Sequence, residues 1–215
     1  MDEIIIFPPD ERSLEHINII MKKISEAGVR ISASKSKFFR REVEFLGYIV
    51  TREGIRTCPD KVKAIKEFPK PENLKSLRSF LGLSGFYKRF IKDYAVIAKP
   101  LTRLLEAENG NISAKKSKGV RIDLKEDALA AFEKLKQILS SEDVILAYPD
   151  FEKKCELTTD ASAIALGAVL AQDGRPITMI SRTLSATEAN YAANERELLA
   201  IVWALKDLSY YLYGV

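Results

Sequence analysis

The dipeptide Asp173-Gly174, set between the apolar runs 164–171 and 177–181, leaves the last third of this chain few ways to fold. Asp-Gly tolerates the positive φ that both central residues of a two-residue hairpin turn require, so it predicts two tightly joined antiparallel strands. A further strand is expected over 155–160. Ser185 and Glu188 form a capping-box signature ahead of a helix whose Leu198, Ile201, Leu205, Leu208 and Leu212 recur at three- and four-residue spacing. The predicted order is βββα, with the leucine stripe as the helix's buried face.

Upstream, Ile4, Ile5, Ile6 and Phe7 make a short β-branched run stopped by Pro8-Pro9, which predicts a buried strand. Leu14, Ile17, Ile20, Met21 and Ile24 then follow helical spacing, with Gly28 placed to end the helix. Residues 43–50 and the Arg52-Glu53-Gly54 turn read as a hairpin arm, and Gly47 marks a point where another backbone can come close. From 59 to 105 the pattern is short helices separated by Pro69, Pro71, Gly82, Gly85 and Pro100. Val62, Ile65, Leu74, Leu77, Leu81, Phe86, Phe90 and Tyr94 are its expected core. Residues 106–121 are polar and predict an exposed loop between domains, and a helix over 125–139 follows with Leu129, Phe132, Leu135, Ile138 and Leu139.

With 215 residues and 47% hydrophobic content, the chain can bury about 70% of its unfolded surface, enough for one or two globular domains. No run approaches the roughly 18 apolar residues of a membrane span, and no secretory leader is expected at the N-terminus. Cys58 and Cys155 lack metal-ligand spacing and His16 is the sole histidine, so two reduced thiols are expected and zinc chemistry is set aside. The net charge of +4 is unevenly spread: residues 56–103 hold twelve Lys/Arg against four acids. That excess can form a footprint for a phosphate backbone, although lysine-rich helix faces are usually just solvated.

Asp160 at a strand end and Glu197 on the long helix are hard oxygen ligands from separate elements, as magnesium prefers. Two-metal phosphodiesterases need about four such groups, so the pair alone is weak evidence and reads first as ordinary surface acids. Asp2 and Glu3, adjacent acids at a strand edge, pose the same question.

The strings MDEIIIF, VEFLGYIVTREGI, KSLRSFLGLSGFYKRFIKDYAVIAKPLTRLL, LTTDASAIALGAVLAQ, RPITMISRTL and NERELLAIVWAL decide between these readings. In order and spacing they resemble consecutive blocks of the polymerase polyprotein of gypsy-type LTR retrotransposons, and the ENGNISAKKSKG insertion is similar to the insect gypsy branch. The resemblance implies an α+β chain: the C-terminal part of a reverse transcriptase palm with its primer grip over 1–55 and a helical thumb over 56–106. A loop and connecting helix over 107–150 and the first βββα part of an RNase H-like domain over 151–215 would follow.

The resemblance also implies roles. Met1-Asp2-Glu3 falls on the last three positions of the family's Tyr-x-Asp-Asp turn, with Glu3 replacing the second aspartate, so Asp2 is the expected metal ligand and that site is degenerate. Phe45, Leu46, Gly47 and Tyr48 correspond to the primer grip, and Lys75, Arg78, Lys88, Arg89 and Lys92 to thumb cations tracking a template–primer duplex or RNA–DNA hybrid. Asp160 and Glu197 match the first two RNase H carboxylates and are the expected ligands there. The implied cofactor is Mg2+, in two-metal sites of the parent and weak or absent here. The implied partners, besides nucleic acid, are the rest of the polyprotein: fingers and palm, remaining RNase H and integrase, with no membrane. Because the other catalytic acids are expected before Met1 and after Val215, the chain is expected to be catalytically incomplete in both activities. The rival expectation is a non-catalytic nucleic-acid-binding or interaction protein derived from a retroelement.

Overall fold

Leu46 and Gly47 have φ of 48° and 79°, the two positive values of a primed hairpin turn, and they fold β1 (Glu42–Phe45) onto β2 (Tyr48–Thr51). The run 43–50 is therefore itself a hairpin, not one extended arm; Leu46 hid the turn because leucine is not a turn residue. A second turn, at Arg52-Glu53-Gly54, brings back β3 (Ile55–Thr57) to give the antiparallel order β1-β2-β3. The coordinates form a computed structural model that describes residues 4–6, 13–107, 117, 119–141 and 144–213. Asp2, Glu3, Phe7 and most of the 106–121 loop lie outside the described residues.

Residues 4–6 form no strand, and Ile4 is exposed, because no neighbouring strand among the described residues offers them hydrogen bonds. The first helix, α1 (Ser13–Glu26), forms where its periodicity predicts and ends at Gly28 with φ 70°. Its Leu14 and Met21 are exposed, however, so this part of the apolar stripe does not reach a core.

Beyond the sheet come α2 (Pro59–Lys66), opened by a proline at its first position, and α3 (Leu74–Phe86). Asn73 caps α3, its side chain accepting from the Ser76 N–H at 2.9 Å. A single 3-10 turn (Lys88–Phe90) leads to α4 (Tyr94–Ala107), and α5 (Glu126–Ser141) packs across α4 and α2. Gly82, Gly85 and Pro100 separate nothing; they lie inside α3 and α4. A glycine costs a helix only about 1 kcal/mol and a proline about 3, and burial of Leu77, Phe80, Leu101, Phe132 and Leu135 outweighs both. Phe86, expected inside, is 44% exposed, and Tyr87 takes the core position instead.

The third unit is the antiparallel sheet β4 (Glu156–Ala161), β5 (Ala165–Gln172) and β6 (Arg175–Thr183). Asp173-Gly174 makes the turn between β5 and β6 with φ of 50° and 72°. The Ser185/Glu188 box forms in both directions, but it opens only a 3-10 turn (Glu188–Asn190), and the Glu188 carboxylate also binds Arg182 at 2.7 and 2.8 Å. The long helix α6 (Ala193–Asp207) starts later, its Glu195 accepting from the Ala192 N–H, and α7 (Ser209–Leu212) follows. The leucine stripe is buried only at its far end, where Leu208 is inside and Leu212 is half-buried. Ala200, Ala204 and Leu208, spaced by four, are buried, while Leu198, Ile201, Val202 and Leu205 are exposed. Small side chains let the helix backbone lie close to the strands, and a reading weighted to large apolar residues overlooks that face. No helix among the described residues is long and apolar enough to cross a membrane.

The units pack together. Leu146 exchanges two 2.9 Å backbone bonds with Ile55. Gly54, at φ 149°, is the true point of close backbone approach, since a Cβ there would overlap the Leu146 carbonyl. Arg175 of β6 donates to the Glu53 carbonyl at 2.8 Å, and α4 lies across β5 and β6.

Candidate nucleic-acid interface and carboxylate pair

The β1–β2 turn is held against the end of α3 by aromatic rings. Tyr48 stacks on Phe86 with centroids 4.8 Å apart and on Phe90 at 5.9 Å, and meets Tyr87 edge-on at 5.7 Å. Its hydroxyl donates to the Phe86 carbonyl at 3.2 Å. Tyr87, fully buried, donates to the Gly47 carbonyl at 2.7 Å and accepts from the Cys58 N–H at 3.4 Å. Burial pushes the Tyr87 hydroxyl up to about 12, so it stays protonated as a donor. Burial also raises Tyr48, against the pull of the nearby Arg89 guanidinium. A Cβ on Gly47 would come within 3.2 Å of the Phe86 ring, so what crowds this glycine is an aromatic ring and not the second backbone expected there. Of the four residues singled out in this turn, Tyr48 is an anchor, Phe45 is half-buried and Leu46 stands 61% exposed at the tip.

The cations from 56 to 103 divide into two groups. Arg56 pairs with Glu42 at 2.8 Å, Lys99 with Glu106 at 3.6 Å, Arg78 is engaged, and Arg89 donates to the Tyr211 hydroxyl at 3.3 Å. The other eight of the twelve, Lys75, Lys88 and Lys92 among them, are exposed and have no partner among the described residues. Arg89 is thus committed to α7, whereas Lys88 and Lys92 on either side of it are free. The sequence gives no sign of this division, because it depends on a tyrosine 122 residues away.

Asp160 belongs to the exposed positions of β4, with Glu156 and Thr158, and faces Gly167 across the register; Glu197 is exposed in the second turn of α6. The two elements pack on one another. Among the described residues neither carboxylate has a hydrogen-bond or ion-pair partner, and no group of three or more potential metal ligands forms. As a donor set for magnesium the pair is right in chemistry and short in number. Periodicity also missed the best-formed polar lock of this unit, in which Arg182 binds Glu188 bidentately and lies 5.5 Å from the centre of the Trp203 ring. That lock lowers the Glu188 carboxyl from 4.5 to about 2, chiefly through Arg182.

Comparison with known proteins agrees with this architecture. Residues 124–215 match the model of the RNase H-like domain found in reverse transcriptase. The retrovirus-related Pol polyprotein of transposon gypsy from Drosophila melanogaster is 53% identical over 215 residues, which is 100% of this chain and 21% of that protein. The chain spans about a fifth of the length of the curated relatives it matches. Among solved structures, a foamy viral protease–reverse transcriptase in complex with double-stranded DNA superposes with a TM-score of 0.81 at 25% identity, covering 95% of this chain and 35% of that one. The foamy viral enzyme in complex with RNA/DNA hybrid gives 0.79 at 25% identity, with 94% and 27% covered. The resemblance carried by the motif strings holds across the sequence and in the fold, and the chain belongs to the gypsy-type retrotransposon Pol polyproteins, matching a segment of their reverse transcriptase–RNase H region.

Proposed function

We propose that this segment holds a template–primer duplex or RNA–DNA hybrid for the reverse transcriptase and RNase H of its parent polyprotein. The observation that supports this most is the set of exposed cations on the helical unit that have no partner among the described residues, together with a turn held by Tyr48 and Tyr87. Such cations displace counterions from phosphates without reading bases, which suits an enzyme that must translocate. The solved relatives with this fold hold double-stranded DNA and RNA/DNA hybrid. RNA-directed DNA synthesis and hydrolysis of the RNA strand are the activities we assign to the parent, with the fingers, remaining palm, remaining RNase H and integrase as its other parts.

Within that reading, Asp160 and Glu197 are two of the magnesium ligands of hybrid hydrolysis, and Asp2 is a ligand at the polymerase site, where Glu3 adds a methylene to a ligand of tightly set reach. Bound magnesium would lower the pKa of the attacking water and neutralise charge on the scissile phosphate. The chain's own contribution is to hold two unpaired carboxylates on packed elements; on its own the chain is expected to bind hybrid and not to cleave it. In a polyprotein containing this segment, Asp160→Asn or Glu197→Gln should abolish magnesium-dependent hybrid cleavage while leaving hybrid affinity within about twofold. Undiminished cleavage in both variants would remove these residues from the site.

A further inference from the structure

We propose that residues 30–41, immediately before β1, form a binding surface for single-stranded nucleic acid. This stretch carries Arg30, Lys35, Lys37, Arg40 and Arg41 and no acid. All five are exposed and without a partner among the described residues, and the first acid downstream, Glu42, is already paired with Arg56. Uncompensated charge of one sign calls for a polyanion.

Two aromatic rings sit within the same cationic stretch. Phe38 is 48% and Phe39 74% exposed, and neither belongs to a hydrophobic core. Phe39 has a φ of 53°, a conformation uncommon for a bulky residue, and the two rings are tilted 43° apart with centroids separated by 6.5 Å. Neither ring covers the other, so each keeps a free face. Free aromatic faces amid cations are the elements with which proteins hold unpaired bases, and duplex bases, already stacked on each other, do not offer themselves to such rings. Apart from the single 3-10 turn Ala33–Lys35, the backbone here is irregular, and Ser32, Ala33, Ser34 and Ser36 between the first cations are small. The surface runs directly into the β1–β2 hairpin. Its use for the strand leaving the duplex rests on the function proposed above; the binding itself does not.

The test uses the full 215-residue chain, with fluorescein-labelled oligothymidylate of about 12 nucleotides and an RNA–DNA hybrid of equal length as probes. By anisotropy, replacing Phe38 and Phe39 together with alanine should weaken oligothymidylate binding by at least about fivefold for each ring that stacks, and leave hybrid affinity unchanged. Replacing both with tryptophan should preserve or strengthen it. The log–log salt slope for oligothymidylate should be about −3.5 if all five cations engage, at roughly −0.7 per phosphate. Oligothymidylate affinity unmoved by the alanine pair overturns the proposal, as it would if the rings instead seat another protein segment. Equal loss of both probes, or failure of the tryptophan pair to bind, also overturns it. Failure of the duplex reading shows elsewhere, as hybrid affinity indifferent to Lys88 and Lys92.

Discussion

The helical unit α2–α5 and the sheet unit β4–α7 solve burial differently. The first closes around large side chains, with Phe80, Tyr87, Leu77, Leu101, Phe132 and Leu135 all essentially inaccessible. The second has a small apolar cluster of Leu170, Ile177 and Leu208, and its long helix lies on the sheet through Ala200 and Ala204. What the sheet lacks in core it takes from its neighbour. Ser181 of β6 accepts from the Ala95 N–H at 2.9 Å, so a residue 86 positions away supplies the N-terminal cap of α4. Asp93, where a capping side chain would ordinarily come from, instead lies against Gly167 of β5, its Oδ1 2.6 Å from where a Cβ would stand. The sheet unit is thus expected to gain much of its stability from docking on the helical unit.

The largest expected effect comes from the core of the helical unit. Phe80→Ala should cost about 3–5 kcal/mol and, if the sheet depends on the helices, lower the unfolding midpoints of both units in denaturant together. Leu198→Ala, on the exposed face of α6, should change stability by no more than about 0.5 kcal/mol. Comparable losses from the two would erase the contrast. Next, Gly167→Ala forces a methyl into the Asp93 carboxylate; we expect a cost of about 1–3 kcal/mol, with hydrogen-exchange protection lost in both α4 and β5. Loss confined to β5 would mean the docking is incidental. Ser181→Ala should cost about 1 kcal/mol, seen as faster exchange in the first turn of α4, an effect a purely local role in β6 would not produce.

A smaller effect separates the lock within the sheet unit from the docking surface. Arg182 holds the Glu188 carboxyl at about 2, below its usual 4.5. The depressed value means the lock stabilises the fold fully above about pH 4.5 and loses that contribution as pH falls toward 2. Trp203 is the sole tryptophan and lies under Arg182, so its fluorescence should report this transition, and Glu188→Gln should remove it. An unchanged acid profile in that variant would place the transition elsewhere.

Local rules made much of this readable before any coordinates. Asp173-Gly174 specified its turn because both positions need positive φ, and the spans of α1 and α5 follow from apolar spacing alone. The failures share a cause, which is that the deciding partner is distant in sequence. Phe86 and Tyr87 are adjacent aromatics, and only the hairpin turn, forty residues before Tyr87, selects Tyr87 for the core because its hydroxyl has the Gly47 carbonyl to bond. Gly82 and Pro100 read as breaks because their cost is local, whereas the packing that offsets it is tertiary. At the candidate site, the role of Asp160 and Glu197 rests on the resemblance, since two exposed acids have no signature of their own. Arg89 was grouped with Lys88 and Lys92, and nothing near it in sequence announces its bond to Tyr211.

The claim that the helical unit grips a duplex through its free cations is tested most directly by the salt dependence of hybrid binding. With about four cations engaged, affinity should fall with a log–log slope of roughly −3 to −4. Replacing Lys88 and Lys92 with alanine should flatten that slope by about 2 and weaken binding on every sequence alike, while Arg89→Ala, which removes a bond to Tyr211, should act mainly on stability. If the Lys88/Lys92 variant keeps both the slope and the affinity of the parent, those cations are simply solvated and the duplex interface is not where this account places it.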